Sequence, residues 1–294
     1  MVQFTEEISK DLKKAKVGNG FFKGILGFQH LIAMFGATVL VPLLTGLDPA
    51  VALFSAGLGT LIFHLCTKGK VPVFLGSSFA FIPVIQVVAK EYGDLRYAQG
   101  GIVTVGLIYV ILSFIIKKIG VDKIRKVLPA QVVGPMIMVI GLNLIPDALK
   151  NAGVNGLLGG ETGAIRNVLI AAVTLGLALI IKHYGKGMLK QVAILIAVVV
   201  GYGISYVMGI VETGAISEAA LLAVPNFTLP KFDLSAIVII VPVVLAVFME
   251  HVGDITTNGQ VVGKNFIEDP GLNRTMLGDG LATFAAGLIG GPAN

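Results

Sequence analysis

The chain has 294 residues, of which 55% are hydrophobic and only 13% are charged, and its mean hydropathy is +0.89. In soluble domains about a quarter of all residues are charged, so this composition excludes an ordinary soluble domain. It indicates an all-α integral membrane protein in a lipid bilayer. The net charge of +5 comes from lysines and arginines expected on loops that face anionic lipid, so nucleic acid is not an expected partner.

Nine runs are long and apolar enough, at about 20 residues each, to cross a ~30 Å hydrocarbon layer. In chain order, these predicted spans cover residues 21–46, 48–67, 71–89, 98–116, 128–149, 164–183, 189–211, 235–256 and 271–290. Gly, Ser and Pro interrupt the third and ninth of them. The sequence therefore predicts a multi-pass protein with at least one broken span.

Charge predicts the orientation of these spans. Residues 1–20 are polar and contain no apolar core of a removable signal peptide. Most of the 22 lysines and arginines fall on loops on the same side as this segment. Positive loops stay inside, so we expect a cytoplasmic N-terminus and a location in the cytoplasmic membrane.

The third span, "KVPVFLGSSFAF", combines an extended stretch with a break. Val71 to Leu75 is predicted as a short extended stretch, followed by Gly76-Ser77-Ser78 and a helix from about Phe79, with Ser78 as its N-cap. Free backbone N–H groups at such a helix start are suited to a carbonyl or an anion, and Phe79 to stacking on a flat ligand. The alternative is a tight helix contact of small residues.

The eighth span carries the sequence "FMEHVGDITT", with three titratable residues in an apolar run. Glu250 and Asp254 share one helix face, and His251 points about 100° away. A carboxyl group at a helix centre costs ~2.5–3.5 kcal/mol to insert, so it normally faces a protein interior or a wet cavity. Carrying a proton with a substrate is one interpretation, and a structural hydrogen bond between helices is the other. Asp279 is expected to pair within the core.

Two pairs of segments suggest an internal duplication. "FQHLIAMFG" resembles "MEHVGDITT", which pairs Gln29-His30 with Glu250-His251, and "AGLGTL" resembles "DGLATF" further along. An odd number of intervening spans would invert the second copy in the membrane. The counterpart of the span-three break would begin at "GGPAN", so the chain is expected to be truncated.

Four stretches together resemble the nucleobase:cation symporter-2 family, also called nucleobase–ascorbate transporters, nearest to its bacterial uracil permeases. They are "LGFQHLIAMFGATVLVPLL", "KVPVFLGSSFAF", "MEHVGD" and "EDPGLNRTMLGDGLATFAAGLIGGPAN". The resemblance implies fourteen spans in two inverted seven-span repeats, with short strands in spans three and ten. It also implies a core domain, here residues 21–117 and 235–294, and a gate domain, here residues 118–234.

The same resemblance implies roles for single residues. Glu250 would hydrogen-bond the pyrimidine ring, and Phe79 would lie beside it, in a binding segment that includes Gly76 and Ser78. Proton coupling would involve Asp254 and His251 together with Glu250, and Gln29 and His30 would support the core. The implied activity is proton-coupled uracil import with no cofactor or metal, and a homodimer is among the expected assemblies.

Three alternatives stay open on the sequence. A purine base such as xanthine or uric acid is the first, since the span-ten motif falls beyond Asn294. The second is a metal-dependent intramembrane hydrolase, which lacks support because no H-E-x-x-H arrangement is present. The third is a membrane fragment that does not transport. The prediction remains a transporter, not an enzyme.

Overall fold

The computed structural model describes residues 20–120, 123, 133–186, 188–191, 193–211, 214 and 223–294. Within these ranges the secondary structure is helical and contains no strand, which confirms the all-α prediction there. The helices are α1 (Gly20–Thr45), α2 (Pro49–Thr67), α3 (Ile82–Tyr92), α4 (Arg96–Ile119), α5 (Val133–Asn143), α6 (Ile145–Asn151), α7 (Val154–Leu158), α8 (Ala164–Tyr184), α9 (Met188–Gln191), α10 (Ala193–Val207), α11 (Leu234–Ile240), α12 (Val243–Val262) and α13 (Leu272–Ile289).

Four of the described helices are long and apolar enough to cross a membrane by length and composition. They are α2, α4, α8 and the run Leu234–Val262 that joins α11 to α12. These correspond to the predicted spans 48–67, 98–116, 164–183 and 235–256. Two shorter apolar helices cover Met34–Thr45 and Ala193–Val207. The predicted total of nine spans and the inverted repeat stay predictions, and span 128–149 begins outside the described residues.

Local sequence explains how α2 begins and ends. The Asp48 carboxylate accepts hydrogen bonds from the N–H groups of Ala50 (2.7 Å) and Val51 (3.1 Å), and Pro49 occupies the first turn. An N-cap of this kind satisfies backbone donors that no helical carbonyl reaches. The helix ends at Lys68, which adopts the left-handed conformation with φ 55° and turns the chain into the third predicted span.

The extended stretch predicted at Val71 to Leu75 is confirmed, but the short strand that the family resemblance implies in span three is not formed. These residues are extended, and their backbone makes a local bond from Val73 N–H to Val71 O (3.1 Å) instead of pairing in a ladder. A 3₁₀ turn at Phe79–Phe81 follows and leads into α3. The third span is therefore an extended segment joined to an 11-residue helix. An extended segment forms a sheet only when it pairs with a second strand, and this segment does not pair in that way.

The structure divides into two compact units. In the first, which groups residues 34–141 and 225–294, α13 packs against α2 and α4. Glycines permit this close contact: a Cβ on Gly106 of α4 would lie 2.4 Å from the Phe284 backbone nitrogen, and one on Gly278 would lie 2.9 Å from the Phe63 ring. Phe63 and Tyr109 are fully buried beside them. Small residues let these backbones approach, as in other membrane helix pairs.

The second unit groups residues 21–33 and 142–224. Here α8 packs along α10, where a Cβ on Gly201 would lie 2.5 Å from the Thr174 hydroxyl oxygen. The predicted core and gate boundaries at residues 117 and 234 stay predictions.

Residues 225–233 run along one end of the first unit before α11 begins. The Lys231 ammonium contacts the Asp94 carboxylate at 2.9 Å, and Lys231 N–H donates to Arg96 O at 2.9 Å. Tyr92 donates from its hydroxyl to Asp233, whose carboxylate also caps α11. The hydrogen bond from Lys231, followed by that from the Arg96 N–H, lowers the pKa of Asp94.

Asp94→Asn is expected to lower the thermal unfolding midpoint at pH 7, and its difference from the wild type should shrink in acid. A carboxyl whose pKa is lowered on folding stabilises the fold above its unfolded pKa of about 3.9 and loses that effect as the pH falls through its folded pKa. Thermal unfolding of the variant and the wild type in detergent, at pH 7 and at about pH 3, measures the difference between their midpoints. Glu268→Gln, at an exposed position, is the control. A difference that is equal at both pH values would contradict the prediction.

Candidate functional site

A cavity of about 290 Å³ lies in the first unit, beside α12. Glu250 and Asp254 both line it, because they are four residues apart on this helix and project to the same side. Val247 and Ile255 supply apolar surface from the same helix. A small pocket with apolar walls and a few polar groups is the usual form of a small-molecule site.

Another part of the lining comes from the broken third span. Gly76, Ser78 and Phe79 all line the cavity that Glu250 and Asp254 line. The structure thus brings together six residues singled out in the sequence, namely Gly76, Ser78, Phe79, Glu250, His251 and Asp254. Their separate roles stay predictions.

Hydrogen bonds to two neighbouring helices hold the extended segment in place. Leu75 N–H donates to the Thr60 hydroxyl oxygen at 3.0 Å, and the Ser77 hydroxyl donates to Thr38 O at 3.2 Å. Gly76 fits closely here, since a Cβ on it would lie 3.1 Å from the Thr38 hydroxyl oxygen. Non-helical backbone at membrane depth needs such protein partners, because lipid offers none.

Ser78 occupies the residue before the 3₁₀ turn, but its hydroxyl makes no capping hydrogen bond. Its backbone N–H donates to Ala293 O at 2.9 Å. This hydrogen bond joins the extended segment to the residues that follow α13. The sequence could not show this, because the two segments are more than two hundred residues apart.

His251 is buried between α12 and α13. Its Nε2 lies 3.0 Å from the Thr275 hydroxyl oxygen, and its Nδ1 lies 3.2 Å from Asp279 Oδ2. Asp279 is buried as well, so the expectation that it pairs within the core is confirmed. Because both ring nitrogens have protein partners, the imidazole is fixed in orientation next to Glu250.

Gln29 and His30 lie on the part of α1 that groups with the second unit. His30 is exposed there, and the side chain of Gln29 lies outside the described residues. Their predicted support of the core stays a prediction.

Asn294 is a lining residue that the sequence reasoning did not single out. Its Nδ2 is buried and has no hydrogen-bond partner within the described residues. In the sequence, the internal duplication points to this region, because it aligns "GGPAN" with the span-three break, but it assigns no side chain to a site.

Comparison with known proteins shows the family to which this chain belongs. The chain matches the Xan_ur_permease model, described as a permease family, over residues 23–294. It belongs to this permease family. It is 42% identical over 273 residues to the probable uracil permease of Pasteurella multocida, covering 92% of this chain and 64% of that protein. The uracil permease of Bacillus caldolyticus is 41% identical (91% and 62% covered), and that of Escherichia coli K12 is 40% identical (92% and 62% covered).

These relatives confirm the family predicted from the four motifs, and they are permeases rather than enzymes. Membership of a permease family, together with the apolar helices, indicates a multi-pass protein of the cell membrane. The chain spans less than two thirds of the length of each of the three relatives.

Proposed function

We propose that this permease imports uracil together with protons across the cytoplasmic membrane. The observation that carries the proposal is a cavity lined by Glu250 and Phe79 in a chain about 40% identical to proteins named uracil permeases. Uracil is small, planar and neutral, with two N–H donors and two carbonyl acceptors. A carboxylate accepts from the ring N–H groups, and an aromatic ring covers one face of the base.

Proton coupling is proposed from the carboxyl groups in this cavity. Glu250 and Asp254 lie one turn apart on a helix long and apolar enough to span the membrane. Ionisable groups in such segments commonly mark proton or substrate pathways. Binding a neutral base next to a carboxylate changes the free-energy cost of keeping that carboxylate ionised. Proton entry would then favour the substrate-loaded state, and the inward proton gradient would drive uptake.

Uptake of labelled uracil into vesicles with an imposed pH gradient tests the proposal. Two chains are compared: the 294-residue chain, and the same chain extended by the C-terminal part of the Pasteurella multocida relative that lies beyond the matched region. At least one of them is expected to accumulate uracil, and the accumulation should disappear when an uncoupler collapses the gradient in sodium-free buffer. Excess unlabelled uracil should compete, and excess xanthine should not.

Each other result rejects a stated part of the proposal. Xanthine competing as well as uracil would replace the substrate by a purine. Accumulation that follows a sodium gradient instead of the pH gradient would overturn the proton coupling. Absence of uracil uptake by both chains, when both are present in the membrane, would reject uracil import itself.

A further inference from the structure

The His251 ring joins two helices of the first unit. It reaches from α12 to α13, where its Nε2 lies 3.0 Å from the Thr275 hydroxyl oxygen and its Nδ1 lies 3.2 Å from Asp279 Oδ2. Thr275 and Asp279 are four residues apart, so they lie one turn apart on the same side of α13. One imidazole therefore contacts α13 at two points, and these two contacts fix the ring relative to that helix.

The Thr275 hydroxyl is itself held by α13. It donates to Leu272 O at 3.0 Å, three residues earlier in the same helix, and the side chain is fully buried. A hydroxyl has one hydrogen, so with that hydrogen directed to Leu272 the oxygen accepts from the His251 Nε2–H. Thr275 is not among the described residues that line the cavity, so any effect that it has on a ligand must pass through another residue.

The rotation of α12 about its own axis decides where the Glu250 carboxylate lies. Glu250 directly precedes His251, so the two side chains are about 100° apart around the helix. The preceding helix α11 does not fix this rotation, because α12 begins again at Val243 after a turn at Val241-Pro242. Pro242 has no backbone N–H, so the hydrogen-bond ladder is interrupted there. Contacts of α12 with its neighbours must therefore set the direction of Glu250.

The hydrogen bonds of His251 set this rotation more closely than apolar packing does. Phe248 and Met249 are buried on α12, but the hydrophobic effect that buries them is non-directional. A hydrogen bond, in contrast, requires a donor–acceptor distance near 3 Å and an angle above about 150°. The link from His251 to Thr275 therefore restrains the helix that carries Glu250.

We propose that Thr275 is a positioning residue for the bound base, which acts through His251 to hold Glu250 at hydrogen-bonding distance from a ring N–H. This inference rests on the proposed function and adds a residue outside the cavity to its binding site. Misplacing a binding group by about 1 Å can cost ~100-fold. Asp279 remains as the second contact of the ring when Thr275 is changed, so the expected loss is smaller, about tenfold.

The test measures initial rates of labelled-uracil uptake in whichever of the two chains takes up uracil. Thr275→Val keeps the shape of the side chain but removes the hydroxyl, so it should raise the KM for uracil about tenfold and leave Vmax unchanged. Thr275→Ser keeps the hydroxyl and should restore the wild-type KM. A purely structural role would instead lower Vmax in proportion to the amount of folded protein, with KM unchanged.

A second variant tests whether the effect passes through His251. His251→Phe keeps a ring without its nitrogens and should raise KM, and adding Thr275→Val to it should raise KM no further, because the two residues act as one unit. Thr67→Val is the matched control, since Thr67 is fully buried and its hydroxyl donates within its own helix, to Phe63 O at 2.8 Å. This control should leave KM unchanged. Should His251→Phe fail to fold, the valine and serine variants at residue 275 still decide the inference.

The outcomes separate this inference from the proposed function. An unchanged KM in Thr275→Val, with uptake by the wild type, would overturn the inference and leave uracil import standing. An equal rise of KM in Thr275→Ser would also overturn it, because the hydroxyl would then not be the group responsible. So would a further rise on combining Thr275→Val with His251→Phe. Absence of uracil uptake by the wild-type chains would reject the proposed function, and the inference would fall with it.

Discussion

Replacing Glu250 by Gln is expected to lower uracil affinity at least ~100-fold and to reduce uptake to background, while the protein still folds and inserts. Glu250 lines the cavity beside Phe79, and Gln has the same shape without the charge. A charged acceptor makes hydrogen bonds roughly twice as strong as a neutral one, and a Gln amide turned inward would present donors to the ring N–H groups. The variant also removes one of the carboxyl groups proposed to carry the proton.

Binding by calorimetry and gradient-driven uptake measure this effect, with the amount of folded protein followed by size-exclusion chromatography. Glu91→Gln is the control, because Glu91 is exposed at the end of α3 and does not line the cavity. Wild-type uptake by Glu250→Gln would reject the binding role of Glu250. Loss of uptake with unchanged binding would assign this residue to coupling alone.

Gly106→Ala is expected to destabilise the first unit by about 3 kcal/mol or more, at the upper end of the usual cost of overpacking. The new Cβ would lie 2.4 Å from the Phe284 nitrogen and 2.7 Å from its Cα. Both are backbone atoms of α13, so no side chain rotation relieves the clash, and the two helices must separate. Because α13 also carries Asp279 and leads to Asn294, separation would disturb the cavity as well.

Gly57→Ala is the matched control, since it makes the same chemical change within a helix of the same unit. No heavy atom lies within 4 Å of the position that its Cβ would take. Alanine has the higher helix propensity by ~1 kcal/mol, so the control should keep or slightly raise stability. The thermal unfolding temperatures of both variants and the wild type, measured in detergent, test this prediction. Equal unfolding temperatures for Gly106→Ala and the wild type would contradict the close packing of α4 on α13.

Glu250 and the motif "GSSFAF" illustrate what could be predicted from the sequence. A carboxyl group in a long apolar run is costly, so its interior position follows from composition alone. The sequence also predicts the interruption of span three, because Gly76-Ser77-Ser78 interrupts the run of large apolar residues in that span. The site residues proposed from these two signals do line a common cavity.

Ser78 and the extended segment illustrate what could not be predicted. The extended segment resembled a strand, but strand pairing depends on a partner segment that sequence periodicity does not reveal. Only the fold places Ala293 beside Ser78, and the hydrogen bond between them uses the Ser78 N–H.

The sequence by itself determined the membrane class, the family and the titratable residues, since hydropathy, charge and motif are local properties of the chain. The tertiary structure alone decided which polar groups around the cavity are paired with one another. Hydrogen bonds such as His251 to Thr275 and Ser78 to Ala293 join segments far apart or on different helices. Their geometry depends on how α12, α13 and the extended segment pack, and packing is a property of the whole unit.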